Sequence, residues 1–473
     1  MDDPFVVVGG DAAGLSAASK YRRENPDGDV LVFERGKWVS YAHCGTPYYV
    51  KGEVDRLTDL LSLSPEEAAE RGIDLRREHE VVAVDTDAQA VTVDGNGEQF
   101  EQSYSDLLVA TGAQAVTDPI PGSDRAMAFT MHGLDSAAAV RAALADPDEP
   151  AVDTSIEYVD AELVERYADR DPPDRVAVVG GGYVGIEMAE AFRAHGLETH
   201  VFQRGPHLLP QFGDAVCERV AEHLREQGVT VHLNTAVTEL AGGDSVAAVV
   251  HEEGRVPVDL ALVGIGIAPN TDLLDGTPVE LGESGAVAVD EYGQTNVDTV
   301  YAAGDCSEDR HAVTGASTWV PLGLTANRAG RAIGQTVAGR PEPVGDVAGT
   351  AVVKAFELEC GRAGLVHEER ASDAGFDPVS VSIDAGSRSG YYPGGDETTV
   401  TLTADRPTGR VLGGSIVGRD RAAIRIDTLA TALESDLTVA ELERLDLAYA
   451  PPFSPVWDPI LVAAKVLRGK LES

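Results

Sequence analysis

One pattern constrains this chain more than any other, and it occurs twice. A short β-branched strand, Phe5–Val8 (FVVV), ends in glycines, a helical pattern runs from Ala13 to about Glu24, and a second strand follows at Val30–Glu34 (VLVFE). The same order recurs at Val176–Val179 (VAVV), with glycines, a helix through about His195 and a strand at Thr199–Gln203. Each is a βαβ opening, whose strands can only pair in parallel. Two of them in 473 residues predict an α/β fold with two separate Rossmann-like domains rather than a solenoid.

The second loop, Gly180-Gly181-Gly182-Tyr183-Val184-Gly185, fits GxGxxG between a strand and a helix. Gly180 makes the turn, Gly182 admits a pyrophosphate to the backbone, and Gly185 lets helix and strand pack closely. The helix N-terminus then offers N–H groups to phosphate. The following strand ends in Gln203-Arg204, where an NAD site carries a carboxylate for the ribose. Without that charge a 2′-phosphate is tolerated, and Arg204 is placed to pair with it, which favours NADPH over NADH.

The first loop, Gly9-Gly10-Asp11-Ala12-Ala13-Gly14, departs from the fingerprint because Asp11 replaces the middle glycine. Glu34 stands where a ribose-binding carboxylate belongs. Leu107–Gly112 (LLVATG) and Thr299–Asp305 (TVYAAGD) complete the set, the latter placing Asp305 at a strand end to accept hydrogen bonds from a ribityl chain.

Between the two openings, Asp146–Asp174 is rich in Asp, Glu and Pro and reads as a linker or surface insertion. After a poorly hydrophobic stretch, Gly339–Gly349, strands are expected at Ala351–Phe356, Pro378–Ile383, Thr398–Leu402 and Arg410–Val417, followed by helices. That is an α+β C-terminal unit.

Charge excludes some functions. Seventy-nine acids face 37 Lys plus Arg, a net of -42. Nucleic acid and anionic membrane surfaces are both poor partners for such a chain. The acids are spread along the sequence, a haloarchaeal type of composition that suits a highly saline medium, where salt screens the repulsion. The N-terminus shows no signal-peptide pattern and no apolar run reaches the ~20 residues of a membrane span, so a cytoplasmic location is expected. The four cysteines, at 44, 217, 306 and 360, form no CxxC and no disulfide framework, and no metal site is expected.

Taken in order, Gly9–Gly14, Glu34, ATG at 110–112, GGGYVG at 180–185 and AAGD at 302–305 resemble the FAD-dependent pyridine nucleotide–disulfide oxidoreductases. The resemblance implies an FAD-binding domain in two segments, 1–115 and 285–345, an NAD(P)-binding domain at 116–284 and a C-terminal dimerisation domain at 346–473. It also implies cofactor contacts at Gly9, Gly10, Ala12, Ala13, Gly14, Glu34, Arg35, Val81, Thr111, Gly112 and Asp305 for FAD. For the nicotinamide nucleotide it implies Gly180, Gly182, Tyr183, Val184, Gly185, Glu187, Gln203, Arg204 and Gly266. Tyr183 is expected to cover the flavin until nicotinamide displaces it.

The cysteine pattern selects a branch. Glutathione-reductase-like members carry CxxxxC, but here Tyr49 stands at the place of the second cysteine. Ser40-Tyr41-Ala42-His43-Cys44-Gly45-Thr46-Pro47-Tyr48-Tyr49 resembles the single-cysteine branch of coenzyme A-disulfide reductases, NADH oxidases and NADH peroxidases. In that branch the cysteine lies at a helix N-terminus beside the flavin, which lowers its pKa. The other three cysteines read as buried small hydrophobes. Ala12 stands where peroxidases and water-forming oxidases carry a histidine. The His-Pro-Thr motif of glutathione-type enzymes is absent, and Tyr449-Ala450-Pro451-Pro452-Phe453-Ser454 and Tyr391-Tyr392-Pro393-Gly394 resemble the two tyrosine segments of coenzyme A-disulfide reductases.

These likenesses imply an NADPH-dependent flavoprotein disulfide reductase, a homodimer acting on coenzyme A disulfide or a similar small disulfide through a Cys44 mixed disulfide. Tyr449 of the partner subunit is the expected proton donor, with Tyr391 as its backup. Ser16, Lys20, Arg23, Ser40, His43, Asn327 and Trp457 are the implied substrate contacts. Two departures stand out: His43, where many relatives have asparagine, and Trp457, where a cation is expected. The alternatives are an NAD(P)H oxidase, a sulfur or persulfide reductase, or a flavoprotein binding module of low turnover.

Overall fold

A computed structural model describes residues 3–146, 148–149 and 151–473. Met1 and Asp2, which enter the reading of the N-terminus, and Pro147 and Pro150 of the acidic stretch lie outside the described residues. The first glycine-loop strand, Phe5–Val8, pairs in parallel with both Val30–Glu34 and Asp106–Val109. Asp74–Arg77 and Val300–Ala302 extend this sheet to five strands, so its last strand arrives from far along the chain. A second five-stranded parallel sheet centres on Arg175–Val179, flanked by Glu198–Phe202 and Leu260–Val263. Phe5–Val8 and Val176–Val179 are buried along their whole length, which is why they read as unbroken apolar runs rather than alternating ones.

The two glycine loops repeat one geometry. Gly9 has φ +110° and Gly180 φ +113°, and a Cβ on either would strike a carbonyl, that of Ala110 at 2.1 Å or that of Gly264 at 2.0 Å. The following helices are Ala12–Glu24 and Tyr183–Ala194. The space beside Gly182 is open, with nothing within 4 Å of a Cβ built there, which explains how Asp11 is sterically tolerated at the equivalent position.

The C-terminal unit is a five-stranded antiparallel sheet covered by the helices Ala422–Glu434 and Pro459–Leu471. It contains a strand that the sequence reading lacks, Leu358–Gly364, which lies between Ala351–Ala355 and Val411–Gly418. Two three-stranded meanders, spanning 79–103 and 237–257, are also absent from that reading.

The acidic stretch behaves as a surface insertion rather than a linker. Within it, Ala161–Ala168 is a helix capped by the Asp160 side chain, and Val152, Val159, Val164 and Tyr167 are buried in the same core as the second parallel sheet. Its charges face water while its few apolar residues pack inward, so it is part of the domain and not a free linker. No helix among the described residues is long and apolar enough to cross a membrane.

Candidate active site

Cys44 sits in a single 3-10 turn, His43–Gly45, directly before the helix Thr46–Lys51. Pro47 starts that helix, Thr46 donates its hydroxyl to the His43 carbonyl at 2.8 Å, and Gly52, left-handed at φ 92°, ends it. Of the four cysteines only Cys44 is exposed; Cys217, Cys306 and Cys360 are buried. The short helix packs against Tyr183–Ala194, and Tyr48 donates its hydroxyl to Glu187 Oε1 at 3.0 Å. The cysteine loop is thereby fixed at the junction of the two nucleotide-binding sheets.

Electrostatics here depart from expectation. Burial on its protein-facing side, then the charges of Glu187 and Asp305, push the Cys44 thiol above its ordinary value. A lowered thiol pKa, implied by placement at a helix N-terminus, is not what the protein's own groups produce. The helix is only six residues long, and the charged groups that act on the sulfur are the acids Glu187 and Asp305. Burial lifts the Glu187 carboxyl to about 7, with Tyr48 opposing and Glu190 adding to the shift.

Around the first loop, Glu34 accepts from the backbone N–H of Gly10 at 2.8 Å and of Gly36 at 2.7 Å. Burial raises its pKa. Arg35 beside it is exposed, and Val81 is buried under the sheet. Ala12 and Ala13 form the first turn of the helix, where Gly14 would clash with the Gly9 carbonyl at 1.9 Å if it bore a Cβ. Asp305 is largely buried, and its carbonyl accepts from Trp319 Nε1 at 2.9 Å. Thr111 and Gly112 are held by Asn270, a residue the sequence reading lacks: Thr111 Oγ1 donates to its carbonyl at 2.6 Å, and Asn270 N donates to the Gly112 carbonyl at 2.9 Å. These glycine cradles and carboxylates fit FAD at the first loop.

In the second loop Gln203 Oε1 accepts from Gly181 N at 3.0 Å, the contact Glu34 makes with Gly10, but without a charge. Arg204 is exposed and has no ion-pair partner among the described residues. Gly266 has φ 132° and open space at its Cβ position. Val184 lies in the first helical turn, and Tyr183 is tied to the C-terminal unit: Arg362 Nε donates to its hydroxyl at 3.1 Å while Arg362 Nη2 donates to Gln211 at 2.8 Å. Arg362 belongs to the strand that the sequence reading lacks, so its role is invisible there.

The implied substrate contacts scatter. Ser16 donates to Asn327 Oδ1 at 2.8 Å, joining two helices. Lys20 is buried and ion-paired with Glu24, which also holds Arg340 at 2.6 Å. Arg23 is exposed. Ser40 has a left-handed backbone at φ 45°. His43 is ion-paired with Asp11. Trp457 is half-exposed with Lys465 Nζ 5.6 Å from its ring centre.

Tyr391 and Tyr449 are brought together, and the hydroxyl contact with Tyr449 raises the Tyr391 phenol above its ordinary value. Both are exposed. Behind them lies a buried arginine that the sequence does not single out. Arg425 Nε donates to Asp458 Oδ2 at 2.8 Å, and its Nη2 donates to the carbonyls of Ser387 at 2.8 Å and Phe453 at 3.3 Å. One guanidinium therefore fixes both tyrosine-bearing segments.

Comparison with known proteins agrees with this architecture. Residues 3–330 match the model of "Pyridine nucleotide-disulphide oxidoreductase", and residues 350–459 match that family's dimerisation domain. The chain is 38% identical over 470 residues to an NAD(P)H coenzyme A polysulfide/persulfide reductase of Pyrococcus horikoshii, covering 99% of both chains. It is 27% identical to coenzyme A disulfide reductase of Staphylococcus aureus, over 95% of this chain and 96% of that one. Among solved structures, an NAD-dependent persulfide reductase from A. fulgidus superposes with a TM-score of 0.90 at 33% identity, covering 99% of this chain and 84% of that one. The chain belongs to the pyridine nucleotide–disulphide oxidoreductase family, as an FAD-dependent enzyme with a C-terminal dimerisation domain.

Proposed function

We propose that this enzyme reduces coenzyme A disulfide with NADPH, through a mixed disulfide on Cys44. The observation that carries the reading is the solitary exposed thiol: Cys44 lies between two nucleotide-binding loops, and every other cysteine is buried. A lone thiol has no internal disulfide partner, so any disulfide it forms is with a separate thiol such as that of a small molecule. Bound FAD would relay two electrons from the nicotinamide to that disulfide.

The chain's own residues supply the rest. The Cys44 thiolate attacks one sulfur of the substrate disulfide, the sulfur–sulfur bond breaks, and one thiolate departs. Tyr449 is the candidate to protonate it, with the neighbouring Tyr391 phenol as the second donor. Two electrons from NADPH then cleave the mixed disulfide, so one NADPH and one proton yield two thiols. Exposed Arg204, with no ion-pair partner among the described residues, and uncharged Gln203 favour NADPH over NADH. Exposed Tyr449, Phe453, Val456 and Trp457 suit a homodimer in which this segment covers the partner's site. A cytoplasmic location fits three buried unpaired cysteines.

A second reading, reduction of coenzyme A persulfide or polysulfide by the same thiol, is favoured by the names of the more similar relatives. NADPH oxidation with coenzyme A disulfide, other small disulfides, coenzyme A polysulfide, peroxide and oxygen tests both. Fastest turnover with coenzyme A disulfide supports the first, fastest turnover with polysulfide the second, and turnover with oxygen alone overturns both.

A further inference from the structure

Asp11 and His43 are the two residues that depart from their surrounding motifs on either side of Cys44, and the structure joins them. Asp11 is the N-cap of the helix Ala12–Glu24, yet its side chain caps nothing there. An N-cap aspartate ordinarily turns inward to accept from the N–H groups of its own first turn. Here Asp11 Oδ1 instead accepts from Tyr41 N at 3.1 Å, and Oδ2 is ion-paired with His43 Nε2. The second glycine loop has Gly182 at this place, with no side chain to cap the helix or block it.

We propose that His43 is a positioning residue that holds the Asp11 carboxylate off the helix N-terminus and so keeps the first-turn N–H groups open to the FAD pyrophosphate. The inference rests on the family's FAD site and is independent of the sulfur substrate. Without His43, Asp11 keeps only the single contact from Tyr41 N, and it can swing back to cap Ala13 or Gly14. It would then occupy those donors and place a negative charge where a phosphate must come. His43 also neutralises Asp11 in its present position.

The groups facing His43 are Asp11 on the glycine loop, Asp305 after the strand Val300–Ala302, and His132, with Tyr41 and Cys44 on its own segment and Arg35 near His132 and Tyr41. Burial alone would lower the His43 pKa; the Asp11 hydrogen bond and the charges of Asp11 and Asp305 outweigh it, so the net shift is upward. The cationic form, and with it the hold on Asp11, is present at low pH and lost as pH rises through that raised value.

The test is FAD release from diluted holoenzyme, followed by flavin fluorescence. His43→Ala should weaken FAD retention by ~10-fold or more, the scale of one charge-assisted contact. Asp11→Gly, which removes the competitor, should retain FAD at least as well as the parent. The double variant Asp11→Gly with His43→Ala should match Asp11→Gly, and the parent should release FAD faster at high pH while Asp11→Gly does not. Parental retention in His43→Ala overturns the proposal. So does a double variant as leaky as His43→Ala, which would mean that His43 acts by shaping the cysteine loop alone.

Discussion

The Tyr48 hydroxyl reaches Glu187 Oε1 at 3.0 Å, joining the helix that follows Cys44 to the helix that follows the second glycine loop. A carboxyl lifted to about 7 thus acts on the nucleophile across a domain junction. Below that pH Glu187 is neutral; as pH rises through it, negative charge appears near the sulfur and opposes the thiolate. Glu187→Gln should therefore alkylate at Cys44 like the parent below about pH 7 and faster above it. The apparent thiol pKa should fall, because one of the charges that raises it is gone. Iodoacetamide modification rates across pH measure this, and identical curves would remove Glu187 from the control of Cys44.

Arg204→Ala should raise the KM for NADPH by ~10-fold or more, the loss of one charge-assisted phosphate contact, with little change for NADH. Gln203→Glu should act in the same direction, because a carboxylate accepting from Gly181 N would repel a 2′-phosphate. Steady-state kinetics with both nucleotides decide it. Equal changes for the two would show that Arg204 does not touch the phosphate.

Tyr449→Phe keeps the ring and removes the donor. The disulfide half-reaction should slow ~10²–10⁴-fold, the range for a lost general acid, while flavin reduction by NADPH stays near parental. Tyr391→Phe should cause a smaller loss, since its contact with Tyr449 makes it the second donor. Rapid-mixing kinetics separate the half-reactions; slowing of both would indicate damage to packing rather than loss of a proton donor.

Arg425→Ala strips the partner from buried Asp458 and frees the segments at Ser387 and Phe453. Breaking a buried pair from one side costs ~3–5 kcal/mol of stability. Denaturant unfolding checks this, and a loss within the ~0.5 kcal/mol typical of a surface site would contradict the clamp.

Much of the molecule is legible in the sequence because its signals are local. A β-branched run that ends in a glycine with no room for a Cβ, as at Gly9 and Gly180, marks both nucleotide-binding openings. The strand Leu358–Gly364 is hidden because Glu359, Gly361, Arg362 and Gly364 read as a turn. It forms only because neighbouring strands on both sides supply its hydrogen bonds. Arg425 looks like a helix-surface arginine until the chain brings Asp458 and two carbonyls around it. Asp11 reads as a blemish in a motif, and His43 as a substrate contact, since only the fold shows that they face each other.

The most direct measurement is on Cys44→Ser. This variant should keep its FAD and be reduced by NADPH at close to the parental rate, yet form no thiol from coenzyme A disulfide beyond the uncatalysed background. Thiol release at near the parental rate would contradict this, because the three remaining cysteines are buried and none could carry the mixed disulfide.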